Sequence, residues 1–263
     1  MPKLAVSGGE IYYEERGKGH ALIFVSGLNG VGSYWQPQVP EFAARYRVVT
    51  YDQRGTGQSD REQREFSVDQ MAADLVALMD GLGIERAHVV GLSTGGAIGQ
   101  TLAIEQPHRL DRLVLCSTWT YCDPWFRRLF EARRALYQQA GTELHAMFHP
   151  LFLYSPDYVN AHDAELDEER RRSVAGAPPV EVSVGRINAL LAFDRRSGLA
   201  RIKAPVLILA SDNDFITPGY HAEALRRAIP GARLAILEGG GHSISKTRAP
   251  EFNRLVLEFL QGA

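Results

Sequence analysis

The feature that most restricts this chain is a short apolar run that ends in closely spaced glycines. Ala87–Leu92 reads as a buried strand, and the stretch from about Gly95 to Gln106 reads as a helix. Between them stands Gly91-Leu92-Ser93-Thr94-Gly95, which matches G-x-S-x-G. A strand that turns at once into a helix crowds its own backbone at the bend. Residues two positions either side of the turning residue must therefore lack bulk, and Gly91 and Gly95 meet that need. The turn leaves the Ser93 hydroxyl at the head of a helix, where the first amides and the helix dipole favour developing negative charge. Ser93 is thus a candidate nucleophile.

The same alternation runs along the chain. Glu10–Glu15 and Ala21–Ser26 read as two strands of a hairpin joined through Gly17 and Gly19. Trp35–Ala44 reads as a helix and Tyr46–Asp52 as a strand rich in β-branched and aromatic residues. Val68–Leu82 carries apolar residues at 68, 71, 72, 75, 78, 79 and 82, the stripe of an amphipathic helix. Ser67 suits its N-cap and Gly83 its stop. Leu110–Ser117 is another apolar strand. Residues 119–200 break the pattern: they are rich in arginine and aromatics, helix-like, and hold no convincing buried strand. It resumes with strand Pro205–Ala210, helix His221–Ala228, strand Arg233–Leu237 and helix Pro250–Leu260. Runs buried on both faces imply an α/β fold with a mostly parallel twisted sheet flanked by helices. Residues 1–118 and 201–263 are expected to form its core, and 119–200 an inserted helical cap acting as a lid.

A serine nucleophile needs a base, and the base needs an orienting acid. Of eight histidines, His242 alone follows three glycines just past the last strand, where a loop can curl over the strand ends. His88 lies inside a strand and reads as structural. His20, His108 and His221 border elements, and His145, His149 and His162 fall in the insertion. The acid is expected between Ser93 and His242 at a strand end. Asp212 and Asp214 compete there. Asp214 is the better candidate, because it stands in the turn leading to the next helix, and Asp212 suits an Asx-type support of that turn. Asp123 is a weaker alternative. The oxyanion needs two backbone donors. The Thr94 amide follows from the turn itself. The Leu28 amide, in Ser26-Gly27-Leu28-Asn29-Gly30, is the expected second.

Composition removes other classes. Lys plus Arg is 29 against 31 Asp plus Glu, a net charge of −2, which gives no footprint for nucleic acid or an anionic membrane. No apolar run reaches the roughly 18 residues of a membrane span. The first residues lack the apolar stretch of a secretory signal, so a cytoplasmic protein is expected. Cys116 and Cys122 are too few for a disulfide scaffold or a four-cysteine zinc site, and read as reduced thiols. No metal signature appears, and neither metal nor cofactor is expected. Asp52–Asp60 holds G-x-G without G-K-[ST], so it reads as a structural loop held by an Asp–Arg pair. The expected partner is a small-molecule substrate, with a homodimer left open.

Taken together, these motifs resemble the α/β-hydrolase fold family over nearly the whole chain. Ser26-Gly27 stands where most members have His-Gly, and Asp52-x-Arg54-Gly55-x-Gly57-x-Ser59 is similar to the family's next loop. The resemblance implies the triad Ser93, Asp214 and His242. Within the family, Ser26–Trp35, Tyr51–Gly57, Leu151–Asp157 and Arg186–Leu190 are similar to aminoacrylate-hydrolase-like proteins of pyrimidine utilisation. Ser93-Thr94-Gly95-Gly96 also resembles cofactor-free haloperoxidases and perhydrolases. The expected reaction is cleavage of a small ester, amide or enamine-type substrate through an acyl-enzyme. Perhydrolase or enol-lactonase chemistry on the same triad, and a non-enzymatic receptor or scaffold, are the rivals. Among the insertion's arginines, Arg186 or Arg127 is a candidate clamp for a substrate carboxylate.

Overall fold

A computed structural model describes residues 2–28, 30–62 and 65–262. Strands β1 (Lys3–Val6), β2 (Gly9–Arg16), β3 (Ala21–Val25), β4 (Arg47–Tyr51), β5 (Ala87–Leu92), β6 (Leu110–Cys116), β7 (Val206–Ser211) and β8 (Arg233–Leu237) form one sheet in the order β1-β2-β4-β3-β5-β6-β7-β8. β3 to β8 run parallel, while β1 and β2 pair antiparallel at one edge. β3, β5 and β7 are buried along their whole length. A strand with no wet face needs helices on both sides.

Those helices are α1 (Val39–Ala43), α2 (Val68–Gly81), α3 (Thr94–Glu105), α4 (Pro124–Leu153), α5 (Pro156–Ala161), α6 (Asp163–Ala175), α7 (Val180–Ala192), α8 (Gly219–Ala228), α9 (Ile244–Thr247) and α10 (Ala249–Leu260). Two apolar clusters result. One joins α2, α3 and α8 to a face of the sheet and continues into α4 and α7. The other packs α10 and the Trp35 region on the opposite face. There Trp35 lies against Phe24 at 4.7 Å between ring centroids and against Phe252 at 6.2 Å. The Ser67 hydroxyl accepts from Gln70 N at 3.0 Å and caps α2 as its position in the sequence implies.

Two expectations need correction, and one strand, β1, goes unread in the sequence. β2 and β3 are not a hairpin: β4 lies between them, antiparallel to β2 and parallel to β3. Gly17, at φ 76°, is pressed instead on the segment leading into β4. A Cβ there would stand 2.3 Å from the Ala43 carbonyl oxygen. β1 was not visible in the sequence because it is four residues long, half exposed and without an apolar run. The stretch Trp35–Ala44 is not one helix but a 3₁₀ turn over Gly32–Trp35 followed by α1, with Pro40 in the first turn of α1. Between β6 and β7 the chain forms α4 to α7, and α4 is interrupted at Gly141, whose φ is 74° and ψ −175°.

Candidate active site

The residues singled out for chemistry gather at the carboxyl ends of the parallel strands, where open α/β sheets hold their ligands. Ser93 sits between β5 and α3 with φ 54° and ψ −115°, a backbone state that side chains disfavour. The surroundings hold it there. Ser93 N donates to Cys116 O at 2.8 Å, and Ser93 O accepts from Gly96 N at 2.9 Å and from the Thr118 hydroxyl at 2.7 Å. The glycine requirement is steric: a Cβ on Gly91 would stand 2.3 Å from Gly95 O, and one on Gly95 would stand 2.0 Å from Val25 O.

Asp214 follows β7 and His242 follows β8. His242 Nδ1 lies 2.8 Å from Asp214 Oδ2 and 3.0 Å from Oδ1. Asp214 also accepts from Ile216 N at 2.8 Å, Thr217 N at 2.9 Å and the Thr217 hydroxyl at 2.8 Å. Burial alone would push this carboxyl up. The facing His242 and the Thr217 donors outweigh it and hold the pKa below the ordinary carboxylate value. The loop before His242 turns through Gly239, Gly240 and Gly241 at φ 67°, 107° and 66°, three successive left-handed residues. Asp212 does not make the Asx turn expected of it. Its Oδ1 accepts from Gly239 N at 2.8 Å, and Asn213 Oδ1 accepts from Gly241 N at 2.9 Å. The two residues thus tie the acid turn to the histidine loop.

The loop after β3 brings Leu28 to the same place. A Cβ on Gly27 would stand 3.4 Å from Ser93 Cβ, so this loop passes directly beside the serine. Among the described residues, neither Leu28 N nor Thr94 N donates to another protein group. Asn29 lies outside the described residues. Gln53 supports the loop by donating to Ser26 O at 2.7 Å. Arg186 of α7 reaches down to donate to Leu28 O at 3.0 Å, Arg54 O at 2.8 Å and Gln53 Oε1 at 2.7 Å. Sequence reasoning missed that role. Arg186 is buried on the inward stripe Val182, Arg186, Ala189, Leu190, and an arginine on such a stripe signals an internal partner. Arg54 pairs with Asp74 of α2 and not with Asp52, whose carboxylate takes Gly32 N at 2.7 Å and Gln58 N at 2.8 Å.

Ser93 and His242 line one cavity of about 1170 Å³, roofed by α4, α6 and α7 through Phe130, Arg133, Tyr137 and His145 among others. Arg127, the other candidate clamp, is exposed and does not line it. Arg186 lines it, but its donors are engaged as described. Among the described residues, one group could hold a metal ion: His20, His88 and Asp111, whose ligand atoms lie within 4.8 Å of one another. It is away from the serine, at the amino ends of the strands. Asp111 is already shared by His20 at 2.8 Å and Arg86 at 2.6 Å.

Ser93, His242 and Asp214 thus stand together on one strand-end platform. The chain belongs to the alpha/beta hydrolase fold family, whose model matches residues 20–249. It is a hydrolase. It is 36% identical over 259 residues to the candidate carbamate hydrolase RutD of Azorhizobium caulinodans, covering 98% of each chain. A protein of the same name from Caulobacter sp. strain K31 is 42% identical over 242 residues, covering 92% of this chain and 90% of that one. Among solved structures, the enol-lactonase of Burkholderia xenovorans LB400 superposes with a TM-score of 0.91 at 29% identity, over 99% of this chain and all of that one. No helix among the described residues is long and apolar enough to cross a membrane.

Proposed function

We propose that the protein hydrolyses a small ester, amide or carbamate with Ser93 as nucleophile, His242 as general base and Asp214 as the residue that orients His242. The observation that carries this reading is the strained Ser93 at the head of α3, sharing a cavity with a histidine already bound through Nδ1 to a buried carboxylate. With Nδ1 so engaged, Nε2 is left to take the serine proton. Ser93 Oγ attacks the scissile carbonyl, and the Leu28 and Thr94 amides receive the oxyanion. A single donor of this kind contributes about 3 kcal/mol to the transition state. His242 then returns the proton to the leaving alcohol or amine. Water repeats the sequence on the acyl-enzyme and frees Ser93. The carbamate option comes from the names of the relatives, and the ester option from the general reach of the mechanism.

The segment 119–200 serves in this reading as a cap that closes the cavity. A reducing, cytoplasmic setting belongs to the same proposal, since Cys116 and Cys122 are both free. Ser93→Ala tests the assignment. Turnover of 4-nitrophenyl acetate is expected to fall by about 10⁵ or more, and fluorophosphonate labelling to disappear. Labelling of the variant at the wild-type rate would overturn it.

A further inference from the structure

Arg133 is buried within the roof of the cavity, 2% exposed, on the inward stripe Phe126, Phe130, Arg133, Tyr137 of α4. Its guanidinium carbon lies 4.9 Å from the Phe130 ring centre and 5.2 Å from that of Phe152. Among the described residues it has no carboxylate partner and no hydrogen bond, and its Nε is buried without one. Burial lowers its pKa to about 10, so it keeps its charge at neutral pH. Other arginines of the segment have partners. Arg170 and Arg171 pair with Asp167, and Arg134 donates to Asn188. Arg186 donates to three oxygens.

Beside Arg133 lies His145, also buried, stacked on Tyr137 at 3.8 Å, with Nε2 unpartnered. Both line the cavity that holds Ser93 and His242. His149 lines the same cavity. A buried cation with no counter-charge is destabilising unless something else supplies the anion. A planar fork between two aromatic rings, with an unpartnered imidazole nitrogen beside it, suits a carboxylate.

We infer that Arg133, assisted by His145, binds a carboxylate carried by the substrate, so that the enzyme prefers anionic acyl compounds to simple neutral esters. This rests on the serine-hydrolase reading and names its substrate class. Arg133 would fix the far end of the molecule while Ser93 meets the carbonyl.

The test compares wild type, Arg133→Met and Arg133→Lys on two pairs of esters. Mono-4-nitrophenyl glutarate against 4-nitrophenyl valerate places the carboxylate on the acyl half. 4-Acetoxybenzoate against phenyl acetate places it on the leaving half. In one pair, wild type is expected to favour the anionic member, and Arg133→Met to lower the anionic-to-neutral ratio of kcat/KM by about 30-fold or more, with partial recovery in Arg133→Lys. The pair that responds identifies the half that carries the charge. A change below about threefold in both ratios would overturn the inference. Thermal unfolding separates binding from structure: Arg133→Met is expected to melt at the same or a higher temperature, whereas a structural arginine would lower it. Glutarate binding to Ser93→Ala, followed by calorimetry, does not need the nucleophile. Binding lost on adding Arg133→Met supports the site even if Ser93 proves dispensable. Binding unchanged by that substitution refutes the site even if Ser93 proves essential.

Discussion

Arg54 and Arg133 are both almost fully buried, one in the strand-end framework and one in the helices over it, and the two regions treat them in opposite ways. Arg54 meets Asp74 through Nε at 3.0 Å and Nη2 at 2.6 Å, and spends its other donors on Ser7 O at 2.7 Å and Gly8 O at 3.0 Å. Arg133 meets two aromatic faces and no anion among the described residues. Around Arg54 the framework supplies both an anion and carbonyl acceptors of its own. The helical region leaves a charge open towards the cavity. Buried charge is tolerated only where it is paired or where a ligand completes it, and that distinction separates scaffold from recognition.

Removing the partner of Arg54 should therefore do what removing Arg133 does not. In Asp74→Ala the guanidinium stays buried with only carbonyl acceptors, and α2 loses its link to the loop after β4. A loss of about 3–5 kcal/mol is expected in urea unfolding, with the midpoint shifted and the slope kept. If Asp74→Ala were as stable as wild type, the contrast between the two arginines would collapse.

The sequence made the framework legible and left most of the roof obscure, for physical reasons. The hydrogen-bonded strands β5 and β7 show because burial on both faces demands unbroken apolar runs. Ser93 shows because the crowding at Gly91 and Gly95 admits no side chain. Asp214 and His242 show because each stands in a loop that follows a strand-like run, Asp214 after β7 and His242 after the glycines beyond β8. The place of β4 between β2 and β3 does not show, since strand order depends on contacts such as that of Gly17 with Ala43. Nor does the difference among arginines. Arg127, Arg128, Arg133 and Arg134 look alike as letters, and only the stripe shared with Phe126, Phe130 and Tyr137 marks Arg133 as the inward one.

Acid provides a second test, with one histidine in each region. Burial, and then His20, lowers the pKa of His88 in β5 to about 4. Burial, and then Arg133, lowers that of His145 in α4 to about 2. A histidine depressed in the folded state holds fewer protons than in the unfolded chain, whose value is near 6.5. Unfolding then takes up protons, so stability is full above about pH 6.5 and falls as the pH drops towards each folded value. Each residue should contribute a slope of up to about 1.4 kcal/mol per pH unit between pH 6 and 5. Urea midpoints at the two pH values measure the sum over these and the other depressed histidines, His149 and His221, and His88→Gln and His145→Gln should each remove a part of it. A midpoint independent of pH in this window would show that neither region holds its histidine neutral.

The smallest effect concerns glycine, and it divides the regions again. Gly95 is fixed by contact, with Val25 O standing 2.0 Å from where a Cβ would lie. Gly141, inside α4, is fixed by its own dihedrals, φ 74° and ψ −175°, and a Cβ there would meet nothing within 4 Å. An alanine at 141 is therefore strained but not obstructed. The strain of that backbone state is of order 1–3 kcal/mol. It is offset in part, by about 0.4–1 kcal/mol, because alanine restricts the unfolded chain. Gly141→Ala should thus lose only about 1 kcal/mol in urea unfolding. The kink sits between Tyr137 and His145, the pair stacked beside Arg133. A helix pulled straighter there would move His145 away from the guanidinium before it disturbed Ser93. The variant should accordingly lower kcat/KM more for mono-4-nitrophenyl glutarate or 4-acetoxybenzoate, whichever depends on Arg133, than for its neutral counterpart. Equal losses on the charged and neutral esters would mean that the kink serves the framework and that the two regions are not separable at this point.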